Sequence, residues 1–471
     1  MTDTLTPDLC VIGAGSGGLS VVAAAAAMGV SVVLVEKGVM GGDCLNYGCV
    51  PSKALIAAAH VAQSMREAGR FGIRPVEPVV DLGKTLDHVR SVIAEIAPND
   101  SQARFTAMNV QVIRAAGRFT GRDKLEAGGK IIRARRFVVA TGSSPSVPPI
   151  PGLEQVRVLT NETIFSLDRM PTRLVVLGGG PIGVELAQAF RRLGCDVIVL
   201  EQAKVLSRED PEFADIVTTR LARDGVVLRE NVRVGRVESR GDGIRVFLEG
   251  GEQIDASHLL AAAGRKANVE GLGLDAAGVR YTPKGIETTS NLRSSNRRIY
   301  AVGDVAGGMQ FTHAANYHAG LVLRATLFRL RARVKNHLIP RVTFTDPQIA
   351  VTGLSEAEAR KSHKKIRVLR WPFADNDRAQ ASRETAGHVK VILAGNGTIL
   401  GAGIVGADAG EMIALWQLAI TQKMKIGAIA GLVLPYPTLA EASKRAAITS
   451  FTGALSNKWL RRLLGLLRKF G

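Results

Sequence analysis

The chain has 471 residues, 46% of them hydrophobic, and a formal net charge of +19 with only four cysteines. Its length predicts roughly three domains with ample apolar material for their cores, and its cysteines are too few for a secreted disulfide scaffold, so we expect a folded cytoplasmic protein. The positive field would attract anionic cofactors, substrates or lipid, but no nucleic-acid-binding module accompanies it, so nucleic acid is not an expected partner.

A strand, a glycine-rich turn, a helix and a second strand open the chain. The turn has the spacing Gly-x-Gly-x-x-Gly, with glycines at Gly13, Gly15 and Gly18, and the second strand ends at Glu36. In such a unit the first glycine permits a tight turn, the second admits a pyrophosphate and the third lets the helix pack closely. The helix N-terminus attracts phosphate, and the acidic residue can bind a ribose. The pattern therefore predicts a dinucleotide site rather than a membrane span, although residues 9–35 carry no charge.

Two cysteines follow this unit. Residues 41–53 have the sequence GGDCLNYGCVPSK, in which four residues separate Cys44 from Cys49 and Pro51 begins a predicted helix. A metal site would need further cysteine or histidine ligands at close spacing, and the sequence places none there, so we predict no metal site. The other cysteines, Cys10 and Cys195, lie at the starts of apolar runs and are expected to be buried thiols.

The strand–turn–helix pattern recurs about 165 residues later. The second turn contains Gly178, Gly180 and Gly183, and the strand after its helix ends at Glu201. This recurrence predicts a partly duplicated fold with a second dinucleotide site. A carboxylate at the end of that strand accepts from a free 2′-hydroxyl and repels a 2′-phosphate, which favours NADH. Basic residues follow it closely, so NADPH stays the alternative.

After Pro340 the pattern changes to alternating short strands and helices. We predict strands over 341–344, 366–371 and 388–394, and helices over 355–361 and 409–423. Such a mixture is typical of a separate α+β domain. A short basic segment, 457–471, finishes the chain.

Taken together, these motifs resemble the FAD-dependent pyridine nucleotide-disulfide oxidoreductases, the family of dihydrolipoamide dehydrogenase, glutathione reductase and mercuric reductase. The resemblance is closest to the mercuric reductase-like members, and it rests on residues 41–53, Ala140–Gly142, Gly178–Glu185, Gly303–Asp304 and Pro340–Pro347. It implies an α/β fold with two Rossmann-like nucleotide-binding domains, for FAD and NAD, plus a C-terminal α+β dimerisation domain, in a homodimer. The implied boundaries are 1–155 with 287–336 for the FAD domain, 156–286 for the NAD(P) domain, 337–455 for the dimerisation domain and 456–471 for a basic amphipathic tail.

By resemblance the first nucleotide is FAD, and the second is NADH or, less favoured, NADPH. A helix starting at Thr312 and His313 would point its positive end at the flavin, with His313 there for its backbone rather than for its ring. Asp304 would bind the ribityl or pyrophosphate region of FAD. The remaining positions implied for the cofactors are Gly13, Gly15, Gly18, Glu36, Lys53, Gly117, Thr141, Gly142, Gly178, Gly180, Gly183, Glu201, Gly264 and Gly303.

The resemblance also implies the redox roles. Cys49 would be the thiolate beside the flavin, with a pKa lowered by its place at a helix N-terminus, and Cys44 would exchange with the substrate. Lys53 would place a cation near the flavin and pair with Glu185. The implied path runs from NAD(P)H through FAD to a Cys44–Cys49 disulfide and on to an acceptor.

One position departs from the disulfide-reducing relatives. They carry a His-Pro-Thr-x-x-Glu segment whose histidine is the acid/base across the dimer, whereas this chain has Tyr436 in its place, with Glu441 at the usual position. A phenol with a pKa of about 10 is a poor base at pH 7, unlike an imidazole near 6.5. Mercuric reductases also have tyrosine in this region, but they carry a C-terminal cysteine pair, and the last cysteine here is Cys195.

We therefore expect an acceptor that needs no histidine acid/base: a metal ion, a thiol-reactive small molecule, a quinone or oxygen. The alternative within enzymes is a dihydrolipoamide dehydrogenase or mercuric reductase in which Tyr436 handles the proton. An alternative of another class is a redox-sensing protein that binds a membrane or nucleic acid.

The basic tail has the pattern of a cationic amphipathic helix. Such a helix suits an anionic membrane surface, and peripheral contact with the inner face of the membrane is one hypothesis, packing on its own dimer the other. The residues that make the pattern are Leu460, Leu463, Leu464 and Leu467, with Arg461, Arg462, Arg468 and Lys469.

Overall fold

The computed structural model describes residues 3–455 and 458–470, so residues 456, 457 and 471 of the predicted tail lie outside the described part. The chain divides into two compact units: residues 1–69, 74–202 and 229–336 form the first, and residues 70–73, 203–228 and 337–471 the second. Among the described helices, none is both long and apolar enough to cross a bilayer. The second unit includes 203–228, which falls inside the range predicted for the NAD(P) domain.

The described residues form fourteen α-helices. They are α1 (Ser16–Ala27), α2 (Gly42–Asn46), α3 (Cys49–Glu67), α4 (Leu82–Ile96), α5 (Gln102–Ala107), α6 (Pro181–Arg192), α7 (Pro211–Arg223), α8 (Thr312–Thr326), α9 (Glu356–Ser362), α10 (Asp377–Ser382), α11 (Ala409–Thr421), α12 (Ile426–Ala430), α13 (Glu441–Leu455) and α14 (Lys458–Leu467).

The described residues also form twenty-six strands. They are β1 (Thr4–Leu5), β2 (Leu9–Ile12), β3 (Val32–Val35), β4 (Gln111–Ile113), β5 (Arg118–Gly121), β6 (Lys124–Ala127), β7 (Lys130–Ile132), β8 (Arg136–Val139), β9 (Ser143–Pro145), β10 (Val158–Leu159), β11 (Arg173–Leu177), β12 (Asp196–Leu200), β13 (Val227–Arg229), β14 (Val234–Arg240), β15 (Gly243–Leu248), β16 (Gln253–Ala256), β17 (His258–Ala261), β18 (Arg265–Ala267), β19 (Tyr281–Thr282), β20 (Gly285–Ile286), β21 (Ile299–Ala301), β22 (Arg341–Thr343), β23 (Gln348–Gly353), β24 (Ile366–Pro372), β25 (His388–Ala394) and β26 (Ile399–Gly406).

Two five-stranded sheets with matching strand orders organise the nucleotide-binding part of the chain. One has the order β21-β8-β2-β3-β4 and the other β10-β17-β11-β12-β13. Their central strands are parallel: Leu9 pairs with Val32, and Arg173 with Asp196. Because β2 and β11 open corresponding strand–turn–helix units, the duplication predicted from the sequence is confirmed.

Both faces of the first of these sheets are buried. Alternate residues of β2 point to opposite sides, so Leu9 and Val11 enter one apolar core while Cys10 and Ile12 enter the other. The first core includes residues of α1 and α8, and the second includes Phe119 and other residues of the smaller β5–β7 sheet. Strands covered on both faces are typical of α/β folds, and explain why β2 and β3 are uninterrupted apolar runs.

The second unit contains an antiparallel sheet in the order β22-β23-β26-β25-β24. Its core surrounds Trp416 of α11, which is fully buried and donates from its indole nitrogen to Ser443 Oγ of α13 at 3.1 Å. The three strands predicted from the sequence are present. The sequence did not predict β23 or the central strand β26. The α/β fold class with a C-terminal α+β domain is therefore confirmed.

A buried lysine joins α7 to this sheet within the second unit. The Lys390 side chain is only 4% exposed, and its Nζ lies 2.7 Å from Asp210, 2.8 Å from Glu212 and 3.0 Å from Glu356. Arg370 also pairs with Glu212, at 2.6 Å. These cations hold the pKa of Glu212 down to about 2, chiefly through the hydrogen bond from Arg370.

Candidate active site

The first and third glycines of both turns leave no room for a side chain. Gly13 follows β2 with a φ of +107°, a conformation that favours glycine, and a Cβ there would lie 2.4 Å from the carbonyl oxygen of Ala140. A Cβ on Gly18 would lie 1.9 Å from the oxygen of Gly13. The second turn repeats this, since a Cβ on Gly183 would lie 2.0 Å from the oxygen of Gly178, whose φ is +110°. In both units the helix packs against its own turn.

The middle glycine of each turn leaves its helix end open. Gly15 is the N-cap of α1 and Gly180 the N-cap of α6, and neither helix is capped by a described side chain. A Cβ on Gly180 would meet nothing within 4 Å, and one on Gly15 only an atom at 3.9 Å. The first-turn N–H groups of a helix have no partner within it, so each of these ends can bind a phosphate approaching closely.

A carboxylate follows the second strand of each unit. Glu36 follows β3 and accepts hydrogen bonds from the backbone N–H groups of Ala14 and Gly38, both at 2.5 Å. Glu201 follows β12 and accepts one from Gly179 at 2.7 Å. Each carboxylate therefore lies against its own glycine turn, where a ribose next to the bound pyrophosphate would reach it. The two turns fit dinucleotides.

The predicted cysteine pair lies between α2 and α3. Cys44 is half-buried in α2, while the exposed Cys49 is the first residue of α3, two residues earlier than the predicted helix start at Pro51. The Cys44 thiol donates to Cys49 and lowers the pKa of Cys49 to about 6, with help from Thr312 and Lys53, while desolvation of the sulfur by neighbouring atoms opposes the shift. The same bond and burial raise the pKa of Cys44. The two pKa values therefore shift in opposite directions, and Cys49 is the thiol that ionises more readily.

Three further predicted residues belong to the same cluster. Thr312 begins α8, as the sequence predicted, and its hydroxyl is 3.5 Å from Cys49 Sγ. Lys53, one helical turn along α3, donates from Nζ to Glu185 of α6 at 2.7 Å. Glu185 is buried, with 6% of the residue exposed, so the lysine supplies its countercharge. The structure therefore brings together five predicted residues: Cys44, Cys49, Lys53, Glu185 and Thr312.

A buried polar network links Asp43, the neighbour of Cys44, to Asp304. Arg265 lies 3.1 Å from Asp43 and donates to Ser143 Oγ at 2.7 Å, and Ser143 in turn donates to Asp304 at 2.5 Å. Asn161 donates to Asp43 at 3.0 Å. Burial raises the pKa of Asp304 despite these bonds. Sequence reasoning missed Arg265, Ser143 and Asn161, although an arginine directly after an apolar strand and a glycine was a usable signal.

The remaining residues predicted for the cofactors lie mostly in turns after strands. Thr141 and Gly142 follow β8 and are held by Asn268, which exchanges two hydrogen bonds with Thr141, at 2.7 and 3.0 Å. Gly303 donates its N–H to His318 Nδ1 at 3.3 Å. Of these, neither Asn268 nor His318 was predicted from the sequence.

Three predicted positions have little side-chain chemistry of their own. Gly117 precedes β5, and a Cβ there would press on Val35 at 3.2 Å. Gly264 precedes β18 with a φ of +135°. The ring of His313 stacks on Phe311, with centroids 5.2 Å apart. That His313 contributes its backbone rather than its ring stays a prediction.

Tyr436 and Glu441 belong to the second unit. The Tyr436 side chain is exposed, and its hydroxyl donates to Asp377 Oδ2 at 2.9 Å. That bond raises the pKa of Tyr436 above its ordinary value, and the charge of Glu441, the first residue of α13, adds to the effect. The phenol is therefore an even poorer base than an isolated tyrosine.

The other two cysteines are inert by burial. Cys10 and Cys195 are fully buried, as predicted, and burial raises the pKa of Cys195 to about 12 and that of Cys10 as well. Within the described residues there is no group of three or more histidine, cysteine or acidic side chains placed to hold a metal ion. The reactive sulfur chemistry is thus concentrated at Cys44 and Cys49.

Comparisons with known proteins cover nearly the whole chain. Residues 7–319 match the family described as pyridine nucleotide-disulphide oxidoreductase, and residues 339–447 match its dimerisation domain. The chain is 35% identical over 453 residues to mercuric reductase of Streptomyces lividans, which is 94% of this chain and 96% of that protein. It is 31% identical over 456 residues to dihydrolipoyl dehydrogenase of Bacillus subtilis (strain 168), covering 94% of this chain and 98% of that protein.

A solved structure agrees in fold. The Cu(II) complex of the HOCl-induced flavoprotein disulfide reductase RclA from Escherichia coli superposes with a TM-score of 0.84 at 27% sequence identity. The superposition covers 93% of this chain and 98% of that one.

Proposed function

The chain belongs to the pyridine nucleotide-disulphide oxidoreductases, and on that basis we propose that it passes electrons from NAD(P)H to a Cys44–Cys49 disulfide and on to a thiol-reactive or metal-ion acceptor. As a member of this family it is an FAD- and NAD(P)H-dependent oxidoreductase, and its dimerisation domain supports a homodimer. The observation that carries the proposal is the position of Cys49 at the start of α3, with its Sγ 3.5 Å from the Thr312 hydroxyl, in surroundings that lower its pKa.

The residues present fit both cofactors. FAD would be held by the first glycine turn with Glu36, by the Thr141–Gly142 turn and by Asp304; the nicotinamide nucleotide would be held by the second turn with Glu201. When bound, the flavin supplies two-electron chemistry that links a nicotinamide to a disulfide. The start of α8 at Thr312 would favour negative charge in front of it. The Lys53–Glu185 pair would hold a cation beside the same region.

The two cysteines have separate tasks in this proposal. Reducing their disulfide takes two electrons and one proton when Cys49 stays a thiolate and Cys44 becomes a thiol. The thiolate is stabilised by the Cys44 S–H, by Thr312 and by the charge of Lys53. Cys44, the thiol of the pair, would attack or ligate the acceptor once its proton has left. Transfer of the two electrons to the acceptor re-forms the disulfide.

The nature of the acceptor follows from Tyr436. Disulfide exchange with an organic substrate needs a group that takes and returns a proton near neutral pH. The pKa of Tyr436 is raised by its bond to Asp377, so this residue cannot accept a proton there. A soft metal ion needs no such base, because its bond to the Cys44 sulfur displaces the thiol proton to water. We therefore favour a metal ion or a small thiol-reactive compound over dihydrolipoamide.

Relatives support a metal acceptor without fixing it. The mercuric reductase of Streptomyces lividans is 35% identical to this chain, and the superposed RclA structure is a Cu(II) complex. The second candidate is dihydrolipoamide oxidation, which the 31% identity to dihydrolipoyl dehydrogenase of Bacillus subtilis favours.

The electron donor and the location follow from charge and composition. Glu201 favours the free 2′-hydroxyl of NADH over the 2′-phosphate of NADPH. The small number of cysteines favours the cytoplasm, and the basic tail favours peripheral contact with the inner face of the membrane.

Anaerobic titration of the purified protein with NADH and with NADPH tests the redox path. We expect a yellow protein that NADH reduces faster, with a long-wavelength band reporting a thiolate beside the flavin. The band should disappear in Cys49→Ser and persist in Cys195→Ser, the matched control at a buried site. Colourless protein, or an unchanged band in Cys49→Ser, contradicts the proposal. Steady-state rates with Hg(II), Cu(II), a quinone and dihydrolipoamide then rank the acceptors.

A further inference from the structure

The last described helix has an apolar side that is exposed. Helix α14 lies beyond residue 447, where the match to the dimerisation domain ends. Large apolar side chains normally lose most of their exposure on folding, yet here six keep about half or more of it. They are Trp459 (76% exposed), Leu463 (50%), Leu464 (47%), Leu466 (54%), Leu467 (54%) and Phe470 (80%).

The other side of the same helix is cationic. A residue advances about 100° around a helix axis, which places Trp459, Leu463 and Leu467 on one side. By the same count Arg461 and Arg468 fall on the opposite side. Arg462 and Lys469 fall beside these two, and residues 456–471 contain no acidic residue. The segment therefore combines an exposed apolar face with a purely positive one.

We propose that α14, with Phe470, binds in the plane of a bilayer surface rich in anionic phospholipid. Its apolar face would enter the boundary between headgroups and acyl chains, and its arginines and lysine would contact the phosphates. Charge complementarity argues for this partner, because a purely cationic rim attracts an anionic surface. This inference rests on the proposed function in two respects. It specifies the lipid for the peripheral membrane contact proposed there, and its use of two tails depends on the homodimer.

The dimensions of the helix set the mode of binding. Ten residues at 1.5 Å each give α14 a length of roughly 15 Å, about half the hydrocarbon thickness of a bilayer. It can therefore lie on a membrane but cannot cross one. The aromatic residues at its two ends, Trp459 and Phe470, suit the interface, where such side chains concentrate.

Two copies of the helix in a homodimer would strengthen weak binding. A single short amphipathic helix holds a membrane reversibly. Once one tail is bound, the second meets the same surface at high effective concentration, so the dimer binds more tightly than either tail alone. Binding should also weaken as salt is added, because exposed charges are screened over about 10 Å at 0.1 M.

Vesicle co-sedimentation of the flavin-loaded full chain tests the inference. We expect binding to phosphatidylglycerol–phosphatidylcholine vesicles, at least tenfold weaker binding to pure phosphatidylcholine, and loss of binding at high salt. Deleting residues 456–471, or changing four of the five cations in that segment to glutamine, should lower binding at least tenfold. Leu463→Gln with Leu467→Gln should do the same at unchanged charge. The cations changed are Arg461, Arg462, Arg468 and Lys469.

The matched control removes four positive charges elsewhere. Arg329, Arg331, Arg333 and Lys335 are all exposed in the first unit, and changing them to glutamine should leave vesicle binding within threefold of the unaltered protein. An equal loss in this control would assign binding to net charge, and unchanged binding after the deletion would exclude the tail. If the deletion instead converts dimers to monomers in sedimentation and not even the unaltered protein binds vesicles, the helix belongs to the subunit interface. Each of these three results overturns the inference.

Flavin reduction by NADH, measured without vesicles, separates the two proposals. The tail variants should keep it, because the tail holds no residue of the redox site. Loss of vesicle binding with intact reduction is thus a property of the tail alone, whereas failed reduction in the unaltered protein counts against the proposed reaction only.

Discussion

At the scale of single residues, the charges around Cys49 determine what the reduced enzyme can do, because the thiolate is the reactive form of a cysteine. The Cys44 thiol, Thr312 and Lys53 stabilise that thiolate, while the charge of Asp43 opposes it. Arg265 pairs with Asp43 at 3.1 Å and so offsets part of that opposition. The reactivity of one sulfur therefore depends on an arginine more than two hundred positions away in sequence.

The pH dependence of alkylation measures this effect. A lowered pKa means that the Cys49 thiolate persists until the pH falls through about 6, so iodoacetamide should modify the reduced enzyme with a midpoint near 6. An ordinary cysteine has its midpoint near 8.5. Cys44→Ala removes the largest stabilising contact and should move the midpoint upward. Lys53→Met should move it in the same direction by less. A midpoint above 8 in the unaltered enzyme would refute the assignment.

At the scale of secondary-structure elements, helices α1 and α6 both begin directly after a glycine turn, and both pack closely against that turn. The N-termini of α1 and α6 follow glycine turns in which backbone atoms occupy the space of a side chain. A methyl group on Gly18 or on Gly183 would overlap the carbonyl oxygen five residues earlier, at 1.9 and 2.0 Å. The two sites should therefore be separable by equivalent substitutions.

Gly18→Ala and Gly183→Ala form a matched pair of tests. Gly18→Ala should yield protein without flavin, because the first helix can no longer pack against its turn. Gly183→Ala should stay yellow and be reduced normally by dithionite, yet its reduction by NADH should slow at least tenfold. Absorption spectra and stopped-flow reduction distinguish the outcomes, and loss of flavin from both variants would mean that the turns are not independent.

The sequence predicted the parts of this fold that are local. Both strand–turn–helix units and the start of α8 at Thr312 follow from the spacing of glycines and apolar residues. Arg265, Asn161 and Ser143 were missed, because their partners lie far away in sequence. Strand β26 was missed because it carries three glycines, which weaken a strand pattern; a Cβ on Gly401 would lie 1.9 Å from the Leu354 oxygen.

Lys390 supports the second unit through its three carboxylate partners. Lys390→Met removes the positive charge that pairs with these three carboxylates and should lower the stability of this unit by roughly 3 kcal/mol. This value is at the low end for breaking a buried ion pair, because the carboxylates are partly exposed to solvent. Lys390→Arg should cost less. Calorimetric unfolding midpoints measure both.

The stability that Lys390→Met loses relative to the unaltered protein should depend on pH. The pKa of Glu212 is lowered to about 2, so its ion pairs stabilise the fold above its unfolded pKa, near 4.3, and are lost as the pH falls through about 2. The difference between the variant and the unaltered protein should therefore narrow between pH 5 and pH 2. A constant difference over this range would show that packing, not charge, supplies the stability.

At the scale of the whole molecule, the residues predicted to deliver electrons and the residue predicted to act on the acceptor lie in different units. The cysteine pair, the Lys53–Glu185 pair and both turns are present in the first unit. In the second unit, the Tyr436 hydroxyl donates a hydrogen bond to Asp377. If the proposed function holds, substitutions at Tyr436 should change the choice of acceptor without changing reduction of the flavin.

Tyr436→His tests which substrates this change excludes. An imidazole titrates near 6.5, and a well-placed general base contributes about 10²–10⁴-fold. We expect NAD⁺-dependent oxidation of dihydrolipoamide to rise at least tenfold in this variant and to stay at the original level in Tyr436→Phe. Robust dihydrolipoamide oxidation by the unaltered enzyme, abolished in Tyr436→Phe, would show instead that the phenol is the working acid/base.

Because Cys10 and Cys195 are fully buried, their reaction with a thiol reagent indicates that the protein has unfolded. In the reduced native protein a chromogenic disulfide reagent should react first with Cys49, and Cys44 should then displace the reagent from it, so two equivalents of chromophore are released promptly. The other two cysteines should react only when the fold opens. The delay between release of the second and the third equivalent then measures the rate of global unfolding by absorbance, without an engineered label.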